Sequence, residues 1–294
     1  MQRNTMVVNS KITLLFIILI LISKSSCAVV TTDPGDYIPL PENTNTAMIY
    51  WQYAERDTLR KGSKKVDSDF KLKSDIYVAR FGHYSNWNGH PVTFQTLIPF
   101  GEIEMKSPSP LKSSGIGDVI LLGSIWFTDG PEDSNYYALG SFITLPTGKY
   151  DGNNAGVNIG NNRLSTGVQG AWSRQVYGKL WSELVLEGAV YGHNDDYAGE
   201  TLKQKPTAET QLHLRYNVSD KTRLAVSYYN QLGGKQSLAG EEQQGGSNNN
   251  RVIFTVGSFI YPTVDVQLQA GRDVYIKNGP QEDLRLQLRL ATIF

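Results

Sequence analysis

From Ala47 to Phe294 the chain repeats one pattern, runs in which apolar and polar side chains alternate with a period of two. Twelve such runs can be read: Ala47–Glu55, Ser74–Tyr84, Pro91–Gly101, Asp118–Phe127, Tyr136–Leu145, Arg163–Arg174, Leu180–Gly192, Thr207–Val218, Thr222–Leu232, Arg251–Tyr261, Val264–Ile276 and Asp283–Phe294. A period of two is the signature of strands with one buried face. Strands in soluble proteins average about five or six residues, whereas a tilted strand needs about 9–11 to cross a bilayer. The length of the runs therefore points past a soluble sandwich to a transmembrane antiparallel β-barrel of about 12 strands.

The connections alternate as well. After the even-numbered runs they are short: "SNWNGH", "TDGPEDSN", "QVYGK", "SDK" and "PT". After the odd-numbered runs they are long and polar, as in "RDTLRKGSKKVDSDFKLK" and "PTGKYDGNNAGVNIGNN", with "KNGPQE" the short exception. Tight periplasmic turns and long outer loops are the pattern of an outer-membrane barrel, and an even strand number leaves both termini on the periplasmic side.

Each run sorts its faces. In the eighth, Thr210, Leu212, Leu214 and Tyr216 oppose Glu209, Gln211, His213 and Arg215. In the last, Leu284, Leu286, Leu288 and Leu290 oppose Arg285, Gln287 and Arg289. The apolar faces end in aromatics near the expected periplasmic rim: Phe81, Phe127, Tyr137, Trp172, Tyr216 and Phe294. Rings at that height mark a membrane–water interface.

The N-terminus reads as a targeting segment. Arg3 and Lys11 precede the apolar run Ile12–Ile22, which is too short to span a bilayer but suits a signal-peptide core. Small residues at Ser26 and Ala28 place a cut after Ala28, so 1–28 is expected to be a signal peptide, 29–46 a periplasmic lead-in and 47–294 the barrel. The lead-in is too short for a folded plug domain. Cys27, the single cysteine, would leave with the signal, and the mature chain would then carry no thiol chemistry. The 28 basic and 28 acidic residues balance, so no general basic field attracts nucleic acid.

The middle of the chain carries a resemblance. "SSGIGDVILLGSIWF" (113–127), "GSFITLPTGKYDG" (140–152) and "NIGNNRLSTGVQGAWSR" (158–174) resemble the outer-membrane family labelled "meta-pathway of phenol degradation". That resemblance implies a transporter-like barrel for small hydrophobic or aromatic compounds, and it supplies no catalytic residues. The motif residues themselves suggest plainer jobs. Gly115 and Gly117 would supply backbone freedom at the start of a strand, Pro146 would end one, and Gly148 would let the loop turn.

Few constellations suggest chemistry. "GHYSNWNGHP" (82–91) holds His83, Ser85 and Asn86, similar to part of the nucleophile region of outer-membrane phospholipase. Trp87 and Asn88 stand where that enzyme has Gly directly after the Asn, and the segment falls at a periplasmic turn. A lipid hydrolase using His83 and Ser85 is thus an alternative to a channel, and a closed structural or adhesive barrel acting through its outer loops is another. "DGNNAG" (151–156) lacks the distal ligands of a calcium loop, and the four histidines make no zinc pattern. No metal and no cofactor is expected. "RKGSKK" (60–65) suits either solvent or anionic lipopolysaccharide.

The expected lumen-lining residues are the inward charges Arg80, Glu183, Glu187, Glu209, His213, Arg215, Arg223, Asp265, Arg285 and Arg289. They would either pair as a structural network or set solute selectivity. Phe294 resembles the terminal aromatic read by the barrel-assembly machinery. The expected partners are outer-membrane lipid and lipopolysaccharide, that machinery, and a small hydrophobic solute. The location is the outer membrane of a Gram-negative bacterium.

Overall fold

The computed structural model describes residues 31–66, 69–128, 134–154, 156–243 and 245–294. The expected signal peptide, Cys27 and the cut after Ala28 lie outside them. Twelve antiparallel strands form one closed barrel. They are β1 (Asn45–Arg56), β2 (Lys71–Trp87), β3 (His90–Ser107), β4 in two pieces (Leu111–Ile116 and Ile120–Trp126), β5 (Asn135–Thr144), β6 (Ser165–Tyr177), β7 (Leu180–Tyr191), β8 (Thr207–Asn217), β9 (Thr222–Gly233), β10 (Ser247–Tyr261), β11 (Val264–Ile276) and β12 (Leu284–Ile293). Each pairs with its neighbours in sequence. β12 closes the ring on β1 in unbroken register from Thr46↔Ile293 to Glu55↔Leu284. The closing strand extends to the last residue, where Phe294 N donates to Asn45 O (3.0 Å) and Asn45 N to Phe294 O (2.7 Å). Closure pairs both sides of each strand of the ring, as strands surrounded by lipid require, except along Leu111–Ile116, which pairs on one side only.

The period-two pattern becomes inside and outside. Leu284, Leu288 and Leu290 are exposed on the outer face of β12, while Gln287 and Arg289 between them are buried in the lumen. The rim aromatics Phe81, Phe127, Tyr137, Tyr216 and Phe294 are exposed at the short-turn end. The β2–β3 turn is two residues, Asn88 (φ 52°) and Gly89 (φ 86°). Paired positive φ values make the type I′ hairpin that suits strand twist, and Asn-Gly is its favoured sequence. "SNWNGH" is therefore mostly strand, since a tight turn releases Ser85–Trp87 to pair with His90–Val92.

At the opposite end the long connections are ordered. Thr58–Lys61 pairs with Lys64–Lys65 and with Gly279–Gln281, and four short segments between Asn194 and Glu242 form a second small sheet. Leu59, Phe70, Leu72, Met105 and Val157 bury one another beneath them. The piece of β4 at Leu111–Ile116 was expected to be loop. It pairs with Phe100–Met105 of β3, where alternating Ile103 and Met105 turn inward.

The lead-in corrects an expectation. Residues 31–41 do not hang in the periplasm; they run inside the barrel from mid-height to the short-turn end, bonded to wall residues throughout. No folded domain is needed, because inward side chains fill most of a barrel this narrow and one extended segment occupies the rest.

Candidate functional site

The inner wall of the lower lumen is built from alternate residues of strands β1–β12, so its charges are aimed at the axis by pleat alone. The lead-in meets them one by one. Asp33 accepts from Arg289 Nη1 (2.9 Å) and from Gln269 Nε2 (2.9 Å). Asp36 accepts from Arg80 Nη1 (3.1 Å). Gly35 N donates to Glu183 Oε2 (2.8 Å), whose other oxygen accepts from Arg215 Nε (2.9 Å). Thr32 binds Gln211 through both its backbone N (2.9 Å) and its hydroxyl (2.7 Å), and its carbonyl accepts from Tyr229 (3.1 Å). Tyr37 donates to Gln169 (2.6 Å), which donates onward to Glu187 (2.6 Å). Burial pushes the Tyr37 hydroxyl up, so it stays a neutral donor. Burial alone would raise the Asp36 carboxyl as well, but Arg80 and Arg289 overcome it and hold the group below the usual carboxylate range.

Below these charges the lumen is closed by rings. Tyr37, Tyr84, Trp126, Tyr136 and Trp181 cluster with Ile38 and Leu40, and Trp126 Nε1 donates to Tyr37 O (3.0 Å). Arg215 stacks over Trp181 at 4.9 Å. The lead-in therefore seals the short-turn half of the lumen.

Above it lies a cavity of about 320 Å³, with Thr31 and Asp33 in its floor. β2, β3 and β4 give this cavity an apolar arc that includes Ile76, Val78, Leu97 and Ile120. Across from them β10 and β11 present Arg251 and Asp273, and beside them β1, β12 and the residues just before β12 present Arg56, Arg285 and Glu282. The β2–β4 side is the more apolar, though Ser74, Arg80 and Asp118 line it too, and the other side is the more charged.

All ten expected lumen residues face inward, and eight are buried; Arg223 and Arg285 are half-buried. They do not form one ladder. Arg223 grips Asp265 with two bonds (2.6 and 2.8 Å), and Arg289 bridges Asp265 to Asp33. Arg215 pairs with Glu183, and His213 sits between Thr32 (3.2 Å) and Ser227 (2.7 Å). Arg285 belongs instead to the upper cavity with Arg56 and Arg251, two residues outside the expected set. Asp33, Asp36 and Tyr37 were also outside it, because a short Pro-rich lead-in carries no periodicity to place it.

The three quoted motif stretches meet at one point in the wall. β4 is interrupted at 117–119, and Asp118 there accepts from Gly148 N (2.9 Å) and Asn161 N (2.7 Å). Lys149 N donates to Ile116 O (2.8 Å), so the loop closes the break. Gly115 does need its φ of 142°. Gly117 and Gly148 instead need space: a Cβ on Gly148 would stand 2.6 Å from the Gly117 carbonyl carbon. Close approach, more than turning, explains those two glycines.

The alternative catalytic pair is not assembled. His83 is exposed on the outer face and bonds Asn45 (2.9 Å), and Ser85 follows it on the same face. Residues i and i+2 on one strand face stand about 7 Å apart, beyond hydrogen-bond reach. Asp151 spends its Oδ1 on Asn153 N (2.9 Å) in a local turn, and no three-residue metal cluster occurs among the described residues.

Residues 54–290 match the model of a family described as "Putative MetA-pathway of phenol degradation". An outer membrane channel from Pseudomonas putida F1 superposes with a TM-score of 0.86 at 29% identity, covering 90% of this chain and 100% of that one. The β domain of the Bordetella autotransporter BrkA (TM-score 0.51, 8% identity, 86% and 100% covered) shares the fold alone. So does the translocator domain of NalP from Neisseria meningitidis (TM-score 0.51, 12% identity, 87% and 89% covered). No curated protein matches the sequence.

Proposed function

We propose a function for a chain that belongs to the family described as "Putative MetA-pathway of phenol degradation": it is an outer-membrane channel of a Gram-negative bacterium that admits small hydrophobic or aromatic compounds. The observation that carries this reading is the upper cavity. It faces the long-loop end, has an apolar arc, and is separated from the short-turn end by residues 31–41 and the inward rings packed with them. A passive channel needs a path and a selective lining, and a lining of mixed apolar and charged walls discriminates solutes without catalysis. Similarity to the Pseudomonas putida F1 channel supports the same class.

The lead-in acts as the closed gate in this reading. Conductance in planar bilayers tests it, with the full chain compared against a chain lacking 29–41. The full chain should pass little current and the deletion several-fold more. If neither passes ions or solute, the barrel is structural and the channel reading is lost.

Long loops and the basic run at Arg60–Lys65 meet lipopolysaccharide in this reading, and the outward leucines meet lipid. Phe294, with its ring 70% exposed beside the closing strand, is the mark read by the assembly machinery. Deleting Phe294 should lower surface levels while leaving the conductance of assembled protein unchanged; normal surface levels would remove that role.

A further inference from the structure

The upper cavity carries one cluster of charges, on β1, β10, β11 and the start of β12, in which bases outnumber acids. Glu282 is shared by three guanidinium groups: Arg56 bonds it directly, Arg251 Nη2 lies 3.2 Å from it, and Arg285 Nη1 3.4 Å. Asp273 is the second carboxylate, accepting from Arg251 Nε (3.1 Å) and from the backbone N of Glu282 (2.7 Å). Among the described residues of this cluster, three arginines thus face two carboxylates. Glu209, the other acid whose field reaches Arg251, makes no ion pair among the described residues and does not line the cavity.

Arg285 bears most of the deficit. Its contacts with Glu282, at 3.4 and 3.5 Å, are at the limit of a hydrogen bond, and its buried Nε has no partner. A guanidinium carries five donors in a planar fork matched to a carboxylate. Leaving it this poorly paired costs free energy that a bound anion would recover. The same cavity is lined by Ile76, Val78, Leu97, Pro99, Ile103 and Ile120, which offer no hydrogen-bonding side chain at all. Strands β3 and β4 lie opposite β9 and β10 in a ring of twelve, so Arg251 faces the apolar arc across the lumen, while Arg56 on β1 and Arg285 on β12 flank that arc on its β2 side.

We propose that this cavity is a binding site for small aromatic monocarboxylates, the ring lying on the β2–β4 arc and the carboxylate on Arg285 with Arg56 and Arg251 beside it. The inference rests on the channel reading for its meaning as a substrate class, and on the cavity alone for binding. Within the Arg56–Arg251–Arg285 cluster a single negative charge completes the count of two acids against three bases; the other charged groups of the lining, Arg80, Asp33 and Asp118, are bonded elsewhere. A cavity of about 320 Å³ is at the small end of ligand pockets and suits one ring with a short substituent. A neutral phenol or alcohol would gain the apolar contacts and leave Arg285 unsatisfied, so the site prefers the acid.

Titration calorimetry of the purified full chain in detergent, with benzoate, benzyl alcohol and acetate as probes, tests this. Benzoate should bind at least about tenfold more tightly than either of the others, the margin expected of one charge-assisted hydrogen-bonded contact. Arg285→Ala should abolish that preference while leaving benzyl alcohol binding unchanged. Glu282→Gln should act in the opposite direction and tighten benzoate, because it removes the competing carboxylate; loss of fold cannot produce a gain. Heat-modifiable migration on gels verifies that each variant is a closed barrel. Equal binding of benzoate and benzyl alcohol, or an unchanged preference in Arg285→Ala, would overturn the site. Flux of a neutral sugar into liposomes, measured on the chain lacking 29–41, reports the channel separately. Benzoate binding without sugar flux would retain the site and remove the channel, and flux without benzoate preference would do the reverse.

Discussion

The two halves of the lumen use the same residue types to opposite ends. In the lower half, the lead-in carboxylates are matched by arginines: Asp36 by Arg80, and Asp33 by Arg289, which Asp265 shares with Arg223. In the upper half, three arginines share Glu282, and the β2–β4 side is the more apolar. A buried charge is stable only when it is paired and hydrogen-bonded, so the lower half is a closed structure with little reason to admit a solute. The upper half instead has in Arg285 a guanidinium held to its carboxylate only at 3.4 and 3.5 Å, and unfilled space beside it. Pairing is what separates a seal from a site, and both are made from inward-pointing charges on the same strands.

The largest effect should come from breaking the seal at its centre. Arg289 touches Asp33, Asp36 and Asp265, so Arg289→Ala strips a partner from three acids at once. Removing one partner of a buried ion pair costs about 3–5 kcal/mol. Urea unfolding in detergent should show a loss of that size, and bilayer recordings should show raised conductance as residues 31–41 come free. Unchanged stability and current would mean the lower network contributes nothing to closure, and the contrast between the halves would collapse.

Acid should sharpen the same contrast more gently. Arg80 and Arg289 hold Asp36 below the usual carboxylate range against the opposing effect of burial. A depressed native pKa contributes stability that is fully present above the unfolded value, near 4, and is lost as pH falls through the native one. The charged and titratable groups around it are Arg80, Arg289, Asp33, Tyr50 and Tyr84. Conductance should therefore be flat from pH 7 down to about pH 4 and rise below it. Asp36→Asn should already be leaky at pH 7 and show a smaller acid step. A rise beginning near neutrality would place the gate elsewhere.

How much of this could be read from residues follows from the same physics. Alternation placed all twelve strands because in a barrel every strand has one lipid face and one luminal face, so none escapes the pattern. The piece Leu111–Ile116 escaped because "SPSPLKSSG" reads as a polar Pro-rich loop, and it lies where the wall faces water and loops more than lipid. The lead-in escaped for a different reason. "TTDPGDYIPLP" has no period and buries itself only against a lumen that the rest of the chain builds. One clue was present. The ten luminal charges hold five arginines and a histidine against four carboxylates, and a sealed interior with surplus cations calls for acids from elsewhere. Asp33 and Asp36 supply them to Arg80 and Arg289. The upper cluster was hidden because Arg56, Arg251 and Glu282 fall at the ends of the periodic runs or beyond them, where strand and loop cannot be told apart from pattern alone.

The smallest effect tests whether neutral hydrogen bonds share in the seal. Tyr37 reaches past the aromatic cluster to Gln169, and Gln169 passes the interaction to Glu187. Tyr37→Phe keeps the ring against Trp126, at 6.3 Å between centroids, and removes only the hydroxyl. The net worth of one such bond is about 1 kcal/mol. Its loss leaves Gln169 Oε1 without that donor in a place where Gln169 is 1% exposed. Stability should fall by about that amount, with only a slight increase in open events, because Asp33, Asp36 and Gly35 still hold the segment above the ring. A full opening in Tyr37→Phe would mean that the rings at the short-turn end, and not the ion pairs above them, hold the channel shut.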